Sequence, residues 1–258
     1  MADRGGYDRH ITIFSPQGRL YQIEYAFKAV KAGGVTSIAV KGTDTCAVVT
    51  QKKVQDKLVV KESVTRLFKI TDKIGCVATG LIADCRLHVT KVRQLASQYK
   101  YDNGYECPLH YLAQLVADNA QLYTQHAGVR ALASVLLLVA VDDEKGPLIF
   151  KVDPAGHFFA YTGVAAGSKE QEAINQLEKV YPKDGDDGKD KDDDEKKGPP
   201  TTEEETIRQA ISTLQYTLSA DFKPDELEVG YVTGVDGRFQ RLSEEEIDAH
   251  LTYIAEED

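Results

Sequence analysis

Apolar and polar residues change rhythm several times along this chain, and each change marks an element. Ile11, Thr12, Ile13 and Phe14 alternate, the period of an extended segment, before a turn at Ser15–Gly18. Leu20, Ile23, Phe27 and Val30 then recur at steps of three and four, one stripe of a helix that Gly33-Gly34 ends. Val35–Val40 and Cys46–Thr50 follow as β-rich runs joined by a hairpin signal at Gly42-Thr43-Asp44, and Leu67–Ile70 and Ile74–Thr79 repeat the pattern. Four strands without intervening helices pair antiparallel. Ile82, Cys85, Val89, Val92, Ala96 and Tyr99 lie on one helical face that stops near Asn103-Gly104, and a second helix starts at Pro108.

A second block repeats this order. Leu132–Val141 is almost wholly apolar, as a strand covered on both faces must be. Leu148–Val152, His157–Tyr161 and Val164–Ala166 follow as strands, separated by turns at Asp142–Pro147 and Asp153–Gly156. Ser168 with Gln171, Thr202 with Glu205 and Ser243 with Glu246 are spaced as capping boxes, each ahead of an apolar helical stripe, and Leu227–Thr233 reads as a strand. The pattern predicts an α+β, four-layer helix–sheet–sheet–helix (αββα) sandwich with an added N-terminal helix, built as one domain over residues 1–258. Within it, residues 1–34 form a tail and helix. Lys183–Pro200 is polar and charged throughout apart from its prolines, a composition that cannot offset its own ordering entropy, so it reads as a disordered acidic insertion.

Charge and chemistry narrow the function. The 258 residues carry a formal net charge of −10, which argues against nucleic acid and leaves protein or peptide partners. No apolar run reaches the length of a signal peptide or of a membrane span, so a soluble intracellular chain is expected. Cys46, Cys76, Cys85 and Cys107 are scattered, with no CxxC pair, so neither a zinc site nor any other cofactor is expected. The glycines of Gly75–Gly80 and Gly163–Gly167 fit no phosphate-binding motif and read as turns, and the six histidines lie in no hydrolase motif. Thr36 is the pointed candidate. An N-terminal threonine can attack a peptide carbonyl with its own amine as base, and Thr36 opens the first strand. A whole helix precedes it, however, so it has no free amine without cleavage.

Tyr7, Thr12, Phe14-Ser15-Pro16, Gly18-Arg19 and Gln22-Ile23-Glu24-Tyr25-Ala26 fall at the spacing of one family's motif. On these residues the chain resembles the α-subunits of the 20S proteasome. Leu67–Thr71, Asp153–Gly156, Asp221–Pro224 and Asp248–Leu251 resemble the type-6 branch, placed first in ring-position naming. The resemblance covers nearly the whole chain outside the acidic insertion. It implies an Ntn-hydrolase-like sandwich without catalytic residues, in a ring of seven different α-subunits stacked on β-rings that carry the proteolytic threonines, in cytoplasm and nucleus. Gln51 stands where an active β-subunit has its acidic partner, and Arg66 where it has its activating lysine; a guanidinium cannot serve as a base at useful pH.

By the same resemblance, Tyr7, Asp8, Arg9, Pro16 and Tyr25 form a cluster that holds the pore gate, and the tail before Tyr7 lies across the pore. Gly33, Arg66 and Leu81 line a pocket for the C-terminal carboxylates of activators, with Arg66 replacing the family's lysine. Two other readings stay open at this point: an N-terminal-threonine hydrolase using Thr36 after processing, and an acidic adaptor acting outside any large assembly.

Overall fold

The computed structural model describes residues 13–54, 56–126, 128–181 and 199–257. The tail, the alternation at Ile11-Thr12 and all of the acidic insertion except its last two prolines lie outside them. The opening helix is α1 (Tyr21–Ala32), followed by β1 (Thr36–Lys41), β2 (Thr45–Gln51), β3 (Leu67–Lys69) and β4 (Gly75–Gly80). Two helices come next, α2 (Ile82–Asn103) and α3 (Leu109–Gln125), then β5 (Ser134–Asp142), β6 (Gly146–Val152), β7 (Phe158–Tyr161) and β8 (Gly163–Gly167). The chain continues through α4 (Glu170–Val180), α5 (Glu203–Leu218), β9 (Leu227–Thr233), β10 (Phe239–Arg241) and α6 (Glu244–Glu257).

These elements stack in the four layers that the pattern predicts. One sheet has the order β10-β9-β2-β1-β8 and the other β3-β4-β5-β6-β7, and all the strand pairs are antiparallel. The two early hairpins therefore belong to different sheets, and the chain returns to the first between β7 and β8. β5 shows why the layers hold. Its Val135, Leu137 and Val139 join the core between the sheets, with Val48, Val77 and Ile149. Its Leu136, Leu138 and Ala140 face the other way, into a core with Val89 and Val92 of α2 and Leu112 and Val116 of α3. On the opposite sheet, Ile38, Val40 and Val49 pack on Leu177 of α4 and Ile207, Ile211 and Leu214 of α5.

α1 stands outside this stack. It touches β4 and β5 of one sheet and β8 of the other, so it crosses the end of the sandwich. Ile23, Ala26 and Val30 are its buried positions, while Leu20 and Phe27 are half-buried at the edge of the same face.

Three features differ from the sequence expectations. The Ser168–Gln171 capping box does not form: α4 starts one residue later, its N-cap Lys169 has no side-chain cap, and the Ser168 hydroxyl lies 3.2 Å from Thr36 Oγ1 instead. The glycines of Gly75–Gly80 and Gly163–Gly167 delimit strands β4 and β8 and are not turns. The third is β10, only three residues long and too short for a period of two to register. Its Phe239 fills space that glycines leave open: a Cβ on Gly75 would lie 2.0 Å from that ring, and one on Gly230 2.7 Å from it. The other two boxes form. Thr202 and Glu205 satisfy each other's backbone at the start of α5, and Ser243 and Glu246 do so at α6.

The ring of Phe239 therefore seals one edge of the sandwich, and Phe239→Ala should destabilise the chain by about 3–5 kcal/mol. Thr202→Ala, which removes one cap from an exposed helix start, should cost only about 1 kcal/mol. Denaturant unfolding of the two variants beside the parent reads both.

Candidate functional site

The start of β1 is where a threonine nucleophile would stand, and its surroundings are fully engaged. Thr36 is completely buried, and its backbone N–H donates to Gln51 Oε1 at 3.1 Å. Its hydroxyl accepts from the Lys169 backbone N–H at 3.2 Å. The Thr36 nitrogen is a peptide amide, because Val35 precedes it and the Val35 carbonyl accepts from Ser168 N–H at 3.2 Å. The lone pair of an amide nitrogen is delocalised into its carbonyl and cannot act as a base, and the neutral Gln51 side chain serves as a hydrogen-bond acceptor where a proton-transfer partner would be needed. The cysteines offer no substitute nucleophile. All four are free and buried, and burial pushes the Cys85 and Cys107 thiols up to about 11 and the Cys46 thiol to about 12.

Arg66, just ahead of β3, turns its Nη1 onto backbone, donating to the Gly80 carbonyl at 3.0 Å and more weakly to the Ala78 carbonyl at 3.5 Å. Its own backbone N–H donates to Glu228 at 2.8 Å. Gly33 and Arg66 share a cleft of about 290 Å³ whose lining also includes Lys52, Lys53, Arg86 and Glu228. Four cations against one carboxylate suit an anionic group. Lys53 caps the α1 end of the cleft by donating to the Gly34 carbonyl. Leu81 is exposed beside the cleft, immediately before the lining residue Ile82.

The opening motif is described from Ile13 onward. Ser15 closes the predicted turn: its N–H donates to the Arg19 carbonyl at 3.0 Å, its hydroxyl accepts from Arg19 N–H at 3.1 Å, and its carbonyl accepts from Gly18 N–H at 2.8 Å. Pro16 sits exposed at the tip. Arg19 then pairs with Glu24, with Nε on Oε1 at 2.7 Å, and lies over the Tyr21 ring at 4.9 Å. Tyr25 is 44% exposed and stacks on Tyr21 at 6.4 Å. Tyr7, Asp8 and Arg9 lie outside the described residues. Pro16 and Tyr25 are thus held on one short unit, and Gly33 ends the helix of that unit at the cleft.

Two buried polar groups escaped the sequence reading. Asp84, in the first turn of α2, is 5% exposed and bound by Arg130 and by the Ala133 N–H. Ser37 bridges the sheets, with its hydroxyl 2.7 Å from that of Thr50 and accepting from that of Thr79 at 2.8 Å. A carboxylate or hydroxyl on an otherwise apolar helix or strand face is the signal that could have found them.

A family model described as "Proteasome subunit" matches residues 30–232, and a second, for the N-terminal signature of A-type proteasome subunits, matches residues 7–29. The chain belongs to the proteasome subunit family. Within that family it carries the α-type signature over the stretch that forms the Ser15 turn and α1. It is 46% identical over 258 residues to a probable type-1 proteasome alpha subunit of Schizosaccharomyces pombe, with all of both chains covered. It is 41% identical to the type-6 proteasome alpha subunit of Caenorhabditis elegans, covering 98% of this chain and 97% of the relative. The proteasome alpha subunit of Thermococcus onnurineus is 35% identical, covering 98% and 90%. The resemblance drawn from the opening motif and the type-6 segments agrees with these relatives. Among the described residues no helix is long and apolar enough to cross a membrane, and no three potential metal ligands come together.

The proteasome α-type chain should show an acid dependence that originates at His88, one turn beyond Asp84. Its imidazole is 5% exposed, lies 2.8 Å from Ser134 Oγ, and is pushed by burial, with Lys91 adding, from 6.5 down to about 4. Between those values the unfolded chain takes up a proton that the folded chain refuses. The contribution is therefore complete above pH 6.5 and is lost as pH falls toward 4, by about 3 kcal/mol at the acid end. Denaturant unfolding at a series of pH values should show this slope, and His88→Gln should flatten it.

Proposed function

We propose that this chain is a non-catalytic subunit of the seven-membered outer ring of a 20S core particle. There it contributes to ring assembly, narrows the substrate pore and helps regulatory particles dock, in ubiquitin-dependent and ubiquitin-independent protein degradation. Its partners are the other six α-subunits, the β-ring below and the activators above, in cytoplasm and nucleus. The observation that carries the non-catalytic reading is Thr36, buried, preceded by a peptide bond and hydrogen-bonded through its amide to Gln51.

The gate assignment rests on the opening unit. Pro16 is displayed at the tip of a closed turn and Tyr25 is exposed one helical turn away from Tyr21, an arrangement suited to contact with a neighbouring subunit. Asp8 can accept from a tyrosine hydroxyl, and Arg9 can pair with a neighbouring carboxylate. The docking assignment rests on the cationic cleft, with Gly33 and Arg66 in its wall and Leu81 at its side. A guanidinium meets a carboxylate through a planar fork, so the seat it offers differs in shape from that of a lysine.

Intact-mass measurement of the chain taken from assembled particles should return a mature protein that retains the residues before Thr36. A mature chain beginning at Thr36 would overturn the non-catalytic reading. Deleting Met1–Gly6 in the assembled particle should raise hydrolysis of short peptides in the absence of an activator. A fall in that hydrolysis with assembly intact would contradict the gate role.

A further inference from the structure

The irregular segment from Arg130 to Ala133, which leads into β5, is held between two helices. On the α2 side, Asp84 Oδ2 accepts from Arg130 Nη1 at 2.5 Å and from the Ala133 N–H at 2.8 Å, while Oδ1 accepts from Arg130 Nη2 at 2.8 Å. The Leu81 N–H donates to the Ala133 carbonyl at 3.0 Å. The two backbones are so close that a Cβ on Gly80 would lie 2.1 Å from that carbonyl oxygen. On the other side, Ala131 is 5% exposed and packs with Ile23 and Ala26 of α1 in a small cluster separate from the three large cores.

A buried carboxylate is costly unless it is paired. What an ion pair adds is direction. Here a two-pronged guanidinium contact and a backbone N–H fix this short stretch at both its ends, and Ala131 stands between them. We infer that Asp84 and Arg130 are positioning residues for α1: by clamping the segment that carries Ala131, they set where α1, and the Ser15 turn joined to it, sits over the ends of the sheets. Both contacts of the clamp lie on the sandwich, and its output is the opening unit. Any consequence for substrate passage rests on the gating role proposed above.

Hydrogen–deuterium exchange on the assembled particle tests this with Asp84→Asn and Arg130→Gln. Exchange across residues 21–32 should become about tenfold faster, while β5 and the later turns of α2 keep their protection. Arg130→Lys should recover part of the protection, because it keeps the charge but not the fork. Leu112→Ala, in the core between α3 and its sheet, serves as the control for general loosening and should leave α1 unaffected relative to the rest. Arg130 is 62% exposed, so Arg130→Gln carries the test if Asp84→Asn does not assemble.

Unchanged α1 exchange in Arg130→Gln, or a rise spread evenly over the chain, would overturn the inference. Faster α1 exchange with unaltered basal peptide hydrolysis would support the clamp and count against the gating role. Unchanged α1 exchange in a particle whose hydrolysis still rises on tail deletion would refute the clamp and leave the gating role standing.

Discussion

The apolar seam between the two sheets is the contact on which everything else rests. β5 supplies Val135, Leu137 and Val139 to it and turns Leu136, Leu138 and Ala140 to the helices, so this strand has no wet face over most of its length. Without that seam the helices would have no flat surfaces to cover, and α1 would have no sandwich end to cross. The seam is not apolar throughout. Near the start of β1 it gives way to the hydroxyls of Ser37, Thr50 and Thr79, which satisfy one another across the sheets. Polar groups of this kind remain inside a protein only when each finds a partner, and here they do.

This polar end of the seam is also where the fold could have held a nucleophile. In this chain the region is busy structurally. Thr36 ties β1 to β2 through Gln51 and to the start of α4 through Lys169, and Arg66 ties the approach to β3 to the end of β4. The same positions that a hydrolase would devote to proton transfer are given over to holding strand ends together. The α-type signature lies just ahead of them, so the opening motif and the buried threonine are two parts of one arrangement.

Much of this was legible in the residues because periodicity reports burial. The almost wholly apolar run from Leu132 announced a strand between two layers, and the Thr202–Glu205 and Ser243–Glu246 pairs announced helix starts, since both depend on local spacing alone. Ser168 misled because tertiary structure claimed its hydroxyl for Thr36, a competition that spacing does not reveal. β10 was missed because its reason for existing, the fit of Phe239 over Gly75 and Gly230, joins residues far apart in sequence. The pairing of Arg130 with Asp84 was missed for the same reason, its partners being 46 residues apart. At the site, Gly33 and Arg66 do meet in one cleft, whereas Tyr7, Asp8 and Arg9 were legible only by resemblance.

The bond from Arg66 Nη1 to the Gly80 carbonyl has a consequence for whatever anion approaches the cleft. A long cationic side chain free in solvent gives up about 2 kcal/mol of rotational freedom when a ligand immobilises it. Arg66 is already held by its own backbone neighbours. An incoming carboxylate would therefore meet a guanidinium fixed in direction beforehand, and complementarity of angle would count for more in its selection than flexibility could.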